Sequence, residues 1–540
     1  MCANFSIDPV IKTTNGRVRG MQKTGIYGDR YYCFDGIPYA KPPLAELRFK
    51  APEELEVLWD GVRDCTRVPK KSLQYNRYKE QKEGDEDCLY LNINVKKLQS
   101  ASPLPVMVYL HGGGSNTGDA TRQSWGPDYF MMKDVLFITI AFRLGALGFM
   151  RFSDPSLQIP GNAGLKDQVL ALRWIKKNCA SFNGDPENIT LLGHSSGSAS
   201  THFLMMAPQC KGIFHKAILM SGYFSHYQRA ENLPYRLACV LGYEGENIDR
   251  NVYEYLMSLE AAALVGFKLW TQEEYDKGYK YVFMPSIEAY ETPDAIITRE
   301  PIQILRSAWS NEIPLMMGCT SFEGLLSYKY FTENPDLYKT FREYPEYLLP
   351  YELQVKCDLE LQKKLAKDFL KNFFGTKELC IENAFTTINL DSYTFIYHSL
   401  HRTLLSRLAY SSAPTFLYRF DFDSPNFNLY RIKHCGPGVR GVAHVDDLSY
   451  IFLMPTSYKL PAQSSEFKTI LRMINIWTTF AAKSNPNTNL NSAAVWRPVD
   501  HSGRHKCLNI SHTIQFMGLP EQENCELMDQ LYKRAGLDLY

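Results

Sequence analysis

The sequence predicts an α/β fold: a large central, mostly parallel, twisted sheet flanked by helices, with helical insertions. Three observations carry this reading. Residues 189–192 form a short apolar run with β-branched members, pass through Gly193-His194-Ser195-Ser196-Gly197, and lead into small residues and the apolar 203–206. That is the pattern of a buried strand, a tight turn and a helix packed on a sheet. Residues 135–141 (apolar apart from Thr139), 167–177 (Val169, Leu172 and Ile175 at helical spacing) and 189–192 then follow in the order of a βαβ unit. Finally, residues 105–110 are a compact apolar strand that runs into His111-Gly112-Gly113-Gly114-Ser115. Three consecutive glycines at a strand end carry a high conformational cost.

The remaining elements fit around this centre. Residues 14–20 read as a turn entering a strand, and the aromatic-rich 31–39 as an extended segment broken by Lys41-Pro42-Pro43. A long polar loop spans 59–87, and 89–95 alternates as a strand. Beyond the Ser195 turn, 214–221 reads as a strand, 227–309 as mixed and mostly helical, and 314–318 as a short strand. The Lys-, Glu- and Leu-rich 334–412 reads as peripheral helices and 415–420 as a strand. Residues 467–482 form an amphipathic helix with Ile470, Ile474 and Trp477 on one face.

A chain of 540 residues would ordinarily divide into roughly three or four domains. No Gly/Ser-rich tract, long charge block or internal repeat marks a boundary, so residues 1–540 are expected to form a single domain. A net charge of +1 argues against a broad nucleic-acid surface or an acidic-membrane surface. No stretch approaches the ~18 continuous apolar residues of a spanning helix, and the N-terminus lacks a basic segment followed by an apolar one. A cytoplasmic protein is expected, with peripheral microsomal association compatible with the sequence. The 13 cysteines show no metal-ligand spacing and no C-x-x-C pair, so most are expected free and buried, with no metal site. The sequons at Asn4, Asn188 and Asn509 are expected to be chance matches.

Gly193-His194-Ser195-Ser196-Gly197 fits G-x-S-x-G. On five residues alone, an ordinary strand-to-helix turn is the simpler reading; the strand before and the helix after favour a nucleophile elbow. In such an elbow a strained serine stands above the sheet edge at a helix N-terminus, where free N–H groups and the helix dipole favour negative charge. The glycine loop at 112–114 has a matching purpose: backbone N–H groups approach a reacting oxygen with no side chain in the way.

Further motifs are distributed along the chain. They include Phe34-Asp35-Gly36-Ile37-Pro38-Tyr39-Ala40, Glu86-Asp87-Cys88-Leu89-Tyr90-Leu91-Asn92, Arg143-Leu144-Gly145-Ala146-Leu147-Gly148-Phe149, Gly161-Asn162-Ala163-Gly164-Leu165-Lys166-Asp167-Gln168 and Trp477-Thr478-Thr479-Phe480-Ala481. With them the chain resembles the type-B carboxylesterase and cholinesterase family of α/β-hydrolases, and most resembles the intracellular α-esterases of insects. The resemblance implies the α/β-hydrolase fold and ester hydrolysis through an acyl-enzyme, with a small-molecule ester as partner and no cofactor. It implies Ser195 as nucleophile, Glu323 in Thr320-Ser321-Phe322-Glu323-Gly324 as the acid, and His444 in Gly441-Val442-Ala443-His444-Val445-Asp446-Asp447 as the base. The order Ser, acid, His is that of the hydrolases. Gly113, Gly114 and Ser196 would supply oxyanion N–H groups. Serine stands at 196 where the family usually has alanine, which would add a hydroxyl near the acyl group. By the same resemblance Cys65 and Cys88 match the family's first disulfide, worth about 3 kcal/mol if it forms, although a reducing cytosol opposes it. Arg48–Glu86 and Arg143–Asp167 match structural salt bridges.

Two departures bear on substrate. Cholinesterases carry a tryptophan between the first two cysteines, where this chain has Tyr75 and Tyr78 but no Trp, and an acidic residue before the nucleophile, where it has His194. Both remove attraction for a cation, which points to neutral xenobiotic or lipid-derived esters. Ser115 replaces an aromatic residue that often follows the glycines, which would open the leaving-group side. The alternatives are a catalytically silent binding protein of the same fold and a slow scavenger of esters or organophosphates.

Overall fold

The computed structural model describes the chain apart from residues 1–7, 57, 77–78, 226, 228–230, 280 and 489–494. Asn4 and Tyr78 therefore lie outside the described residues. One 11-stranded sheet organises the rest. Its strands in chain order are β1 (Met21–Thr24), β2 (Arg30–Pro38), β3 (Tyr90–Val95), β4 (Leu104–Leu110), β5 (Leu136–Ile140), β6 (Gly184–His194), β7 (Lys216–Met220), β8 (Leu315–Thr320), β9 (Thr415–Phe420), β10 (Lys506–Ile510) and β11 (Ile514–Gly518). Across the sheet they run β11-β10-β9-β8-β7-β6-β4-β5-β3-β2-β1. From β10 to β5 every pairing is parallel, and the flanking strands add on antiparallel.

The parallel strands are nearly continuous apolar runs because both faces are covered. Along β4, Val106, Val108 and Leu110 enter one core, while Met107 and Tyr109 enter the other. The first core receives Leu165 and Leu172 of helix α1 (Ala163–Asn178) and Phe203 of helix α2 (Ser196–Met206). Helix α3 (His398–Tyr410) adds Leu400 and Leu404 to it. The second core receives Ile470, Ile474 and Trp477 of helix α4 (Ser465–Lys483). The predicted stripe thus faces inward, with Ser464 capping the helix through the Phe467 N–H.

Two readings need correction. The stretch 227–309 is not mostly helical: the described residues of 277–300 carry no helix or strand. Tertiary hydrogen bonds satisfy its backbone instead. Asn162 Nδ2 donates to the Ser286 carbonyl, Asn162 Oδ1 accepts from the Ser286 N–H, and Glu288 Oε1 accepts from the Ile296 N–H. The polar loop 59–87 holds short strands, Val62–Asp64 beside Gly16–Arg19 and a Gln74–Asn76/Gln81–Glu83 hairpin.

Candidate active site

Chain order reverses between β4 and β6, which lie side by side with β5 beyond β4. Open α/β sheets bind ligands beyond the carboxyl ends of their strands at such a switch point. The glycine loop leaves the end of β4 there, and Ser195 follows the end of β6. Glu323 opens a 3₁₀ turn just past β8, and His444 lies in the connection beyond β9. Residues 249 positions apart are thereby brought to one edge.

The turn at Ser195 is tight and strained. Its backbone sits at φ 56°, ψ −126°, a region that costs a non-glycine residue of order 1–3 kcal/mol and persists where surrounding structure over-determines it. Here the Ser195 N–H donates to Met220 O at 2.8 Å, and its carbonyl accepts from Ala199 N at 3.0 Å. The flanking glycines are required by contact: a Cβ at Gly193 would fall 2.2 Å from Gly197 O, and one at Gly197 2.1 Å from Leu110 O.

His444 Nε2 lies 2.8 Å from Ser195 Oγ, and His444 Nδ1 lies 2.5 Å from Glu323 Oε2. Glu323 is wholly buried. Its other oxygen accepts from Ser221 Oγ and from the Thr320 N–H, each at 2.7 Å. The carboxylate can therefore take only the Nδ1–H tautomer of the imidazole, which leaves Nε2 free to accept the serine proton. His444 is held from behind as well. His194 Nε2 donates to the His444 carbonyl at 2.8 Å, and the two rings are 4.9 Å apart. Burial, and then the neighbouring His444, push His194 down to about 3, so it stays neutral. Asp446 ties the loop through the Ala443 and Arg431 N–H groups.

Opposite Ser195 the glycine loop turns through positive φ at Gly113 (121°) and Gly114 (64°). The N–H groups of Gly113, Gly114 and Ser196 donate to no protein acceptor among the described residues. The Ser196 hydroxyl has a partner within the protein. It accepts from the Ser115 N–H at 3.1 Å and so clamps the end of the glycine loop to the start of α2. Ser115 is itself buried.

The sequence profile of the carboxylesterase family matches residues 7–528. The chain belongs to the carboxylesterase family. It is 33% identical over 531 residues to Esterase B1 of Culex pipiens, covering 97% of this chain and 98% of that protein. It is 30% identical over 553 residues to Esterase E4 of Myzus persicae, covering 98% and 94%. Among solved structures, juvenile hormone esterase from Manduca sexta with OTFP covalently attached is similar at a TM-score of 0.86 and 26% identity, covering 98% of this chain and 100% of that one. The chain is a carboxylic ester hydrolase with the α/β-hydrolase fold.

Both expected salt bridges of the esterase are present: Arg48–Glu86 at 2.7 Å, and Arg143–Asp167 at 2.6 Å with both side chains buried. The disulfide is not. Cys65 and Cys88 are free, buried thiols, and burial pushes each up to about 12. Cys88 hydrogen-bonds Ser72 and lies beside the Arg143–Asp167 pair, whereas Cys65 lies near Asp64 and Asp35. Asn188 and Asn509 are engaged with Lys216 and Arg419. No helix among the described residues is long and apolar enough to cross a membrane.

A cavity of about 220 Å³ lies one side chain away from the esterase's Ser–His–Glu cluster, reached through Phe395 and Tyr281. Phe395 in its wall stands 5.6 Å from the His444 ring. Tyr281, also in its wall, packs against Gly114, where an added Cβ would fall 2.0 Å from the ring. Sequence reasoning missed Phe395, Tyr281, Ser221 and the His194–His444 bond, because each contact spans elements remote in the chain. Only the pairing of Ser221-Gly222 with the end of an apolar strand signalled a residue at the same sheet edge.

Proposed function

We propose that Ser195, His444 and Glu323 are the catalytic triad of this esterase and that its substrates are neutral esters, xenobiotic or lipid-derived. The observation that carries the reading is the unbroken chain Ser195 Oγ–His444 Nε2, His444 Nδ1–Glu323 Oε2. A serine hydroxyl is protonated at neutral pH, so its proton passes to Nε2 as Oγ attacks the ester carbonyl. The carbonyl oxygen gains charge beside the N–H groups of Gly113, Gly114 and Ser196, each worth on the order of a hundredfold or more in rate. The imidazolium returns its proton to the departing alkoxide, with Glu323 stabilising the cation and remaining ionised. Water, deprotonated by His444, then cleaves the acyl-serine.

The neutral character of the substrate is supported by His194, a neutral imidazole where a carboxylate would attract a cation. The cavity wall carries both signs, Asp276, Glu352 and Asp391 beside Lys277 and Arg402, together with the aromatic Trp270, Tyr281 and Phe395. A cytoplasmic placement is proposed on the free thiols, Cys65 and Cys88 included, which an oxidising compartment would tend to pair. The test is Ser195→Ala on p-nitrophenyl acetate. Turnover is expected to fall by roughly a thousandfold or more; turnover within a few fold of the parent would overturn the assignment.

A further inference from the structure

The cavity combines aromatic side chains in its wall, Tyr281 and Phe395 on the side of the triad, with polar ones. Phe395, Ser399 and Arg402 all line it, as does His398. The spacing 395, 398/399, 402 is one helical stripe, running from the turn before α3 into α3. Phe395 touches the His444 ring, and seven residues along a helix advance about 10 Å. Arg402 therefore lies about 10 Å from the reacting groups' side of the wall, measured along the stripe. Its guanidinium is 1% exposed. Three N–H groups are spent, on Glu352 Oε2, Leu539 O and Asp538 O, out of the five that an arginine carries. The guanidinium also packs over the rings of Phe224 and Tyr532. His398 beside it is bound through Nε2 to Asp529 at 2.9 Å.

Hydrogen-bonding capacity at the end of an apolar slot selects against a plain hydrocarbon, which would leave those groups desolvated and unpaired. Arg402 pairs with Glu352, Lys356 with Glu352 and Glu300, and Lys277 with Glu273, while the carboxylates of Asp276 and Asp391 also line the wall. A carboxylate would meet those carboxylates and an ammonium would meet the Arg402 cation, whereas a hydroxyl or ether oxygen can accept from Arg402.

We propose that this cavity receives a medium-length ester arm ending in a neutral hydrogen-bond acceptor, such as a hydroxyl or ether, with Arg402 as the residue that reads it. This rests on the Ser195 esterase reading and names the substrate class of that site. The test uses p-nitrophenyl hexanoate, octanoate and decanoate, each against its ω-hydroxy counterpart. Acetates of the matching alkanols and alkanediols place the arm on the alcohol side, and p-nitrophenyl acetate serves as a reference too short to reach Arg402. The expected result is a kcat/KM about tenfold higher for the hydroxylated partner at one intermediate length, in one of the two series, as a hydrogen bond to a charged donor supplies. In Arg402→Met that ratio should collapse to near one. If Arg402→Met does not fold, the wild-type ratios decide alone. Plain chains hydrolysed as well as or better than their ω-hydroxy partners at every length, with acetate turned over normally, would overturn the proposal and leave the esterase reading standing. Loss of acetate turnover in the wild type would instead remove both.

Discussion

Ser221 spends its hydroxyl on Glu323 Oε1, so the acid of the proposed triad is held by two donors before it meets His444. A hydrogen bond to a buried carboxylate is worth about 1.5–3 kcal/mol. Ser221→Ala should therefore lower kcat for p-nitrophenyl acetate by roughly tenfold with KM little changed, since the contact orients the base and touches no substrate. Steady-state kinetics check this, and an unchanged kcat would show that the Thr320 N–H suffices. At this scale the sequence was legible in part. Ser195, Glu323 and His444 each sit in a short motif, and the structure brings those three together. Ser221 and His194 act through bonds that join remote segments, and no local pattern announces such a bond. The Ser196 hydroxyl was visible, but its direction depends on where the Ser115 N–H lies.

Among elements, the strand–turn–helix around Ser195 is the least tolerant of change. Gly193→Ala or Gly197→Ala would drive a Cβ against main-chain oxygen, and neither oxygen can move without displacing β4 or α2. Each variant should lose all measurable turnover and either fail to fold or melt well below the parent, at a cost above about 4 kcal/mol; circular dichroism with an ester assay separates the two outcomes. Asp167 behaves differently. Its carboxylate accepts from the Arg143 N–H and pairs with the buried guanidinium. Asp167→Asn should cost about 3–5 kcal/mol because it strands that cation, read as a drop in the denaturation midpoint, while the residual folded enzyme keeps its KM. The strands of the sheet were readable because burial on both faces writes them as apolar runs. The β10–β11 hairpin was not read, since Lys506, Asn509 and Gln515 interrupt its pattern near the sheet edge. Residues 277–300 misled because their backbone is satisfied by side chains, Asn162 from outside the segment and Glu288 within it.

Across the whole molecule, buried imidazoles set the response to acid. Burial pushes His194 and His202 down to about 3, and His398 and His505 down to about 4. In the unfolded chain each would titrate near ~6.5. Their folded values lie below the unfolded ones, so the unfolded chain binds more protons as pH falls. The stability they allow is complete above pH ~6.5 and is lost on descent, by about 1.4 kcal/mol per pH unit for each fully buried ring. Melting temperature should be near its plateau around pH ~7–8 and fall between pH ~6.5 and ~4.5, with the buried Asp446 carboxyl, pushed up to about 7, offsetting part of the loss, and His202→Gln should soften the slope; a melting temperature constant between pH ~6.5 and ~4.5 would contradict this. The overall class was legible because the two motifs at the ends of β4 and β6 mark the switch point of a parallel sheet. Convergence of the triad was implied only by the family resemblance, since the distance between Ser195 and His444 is a property of the folded sheet.

The central claim is that Ser195 is the activated nucleophile. The most direct test is intact-mass and peptide-level mass spectrometry after treatment with a fluorophosphonate. A single phosphonyl adduct on the Ser195 peptide is predicted, absent in Ser195→Ala and formed far more slowly in His444→Ala. No adduct on the folded wild-type protein, or an adduct on another residue, would contradict the account.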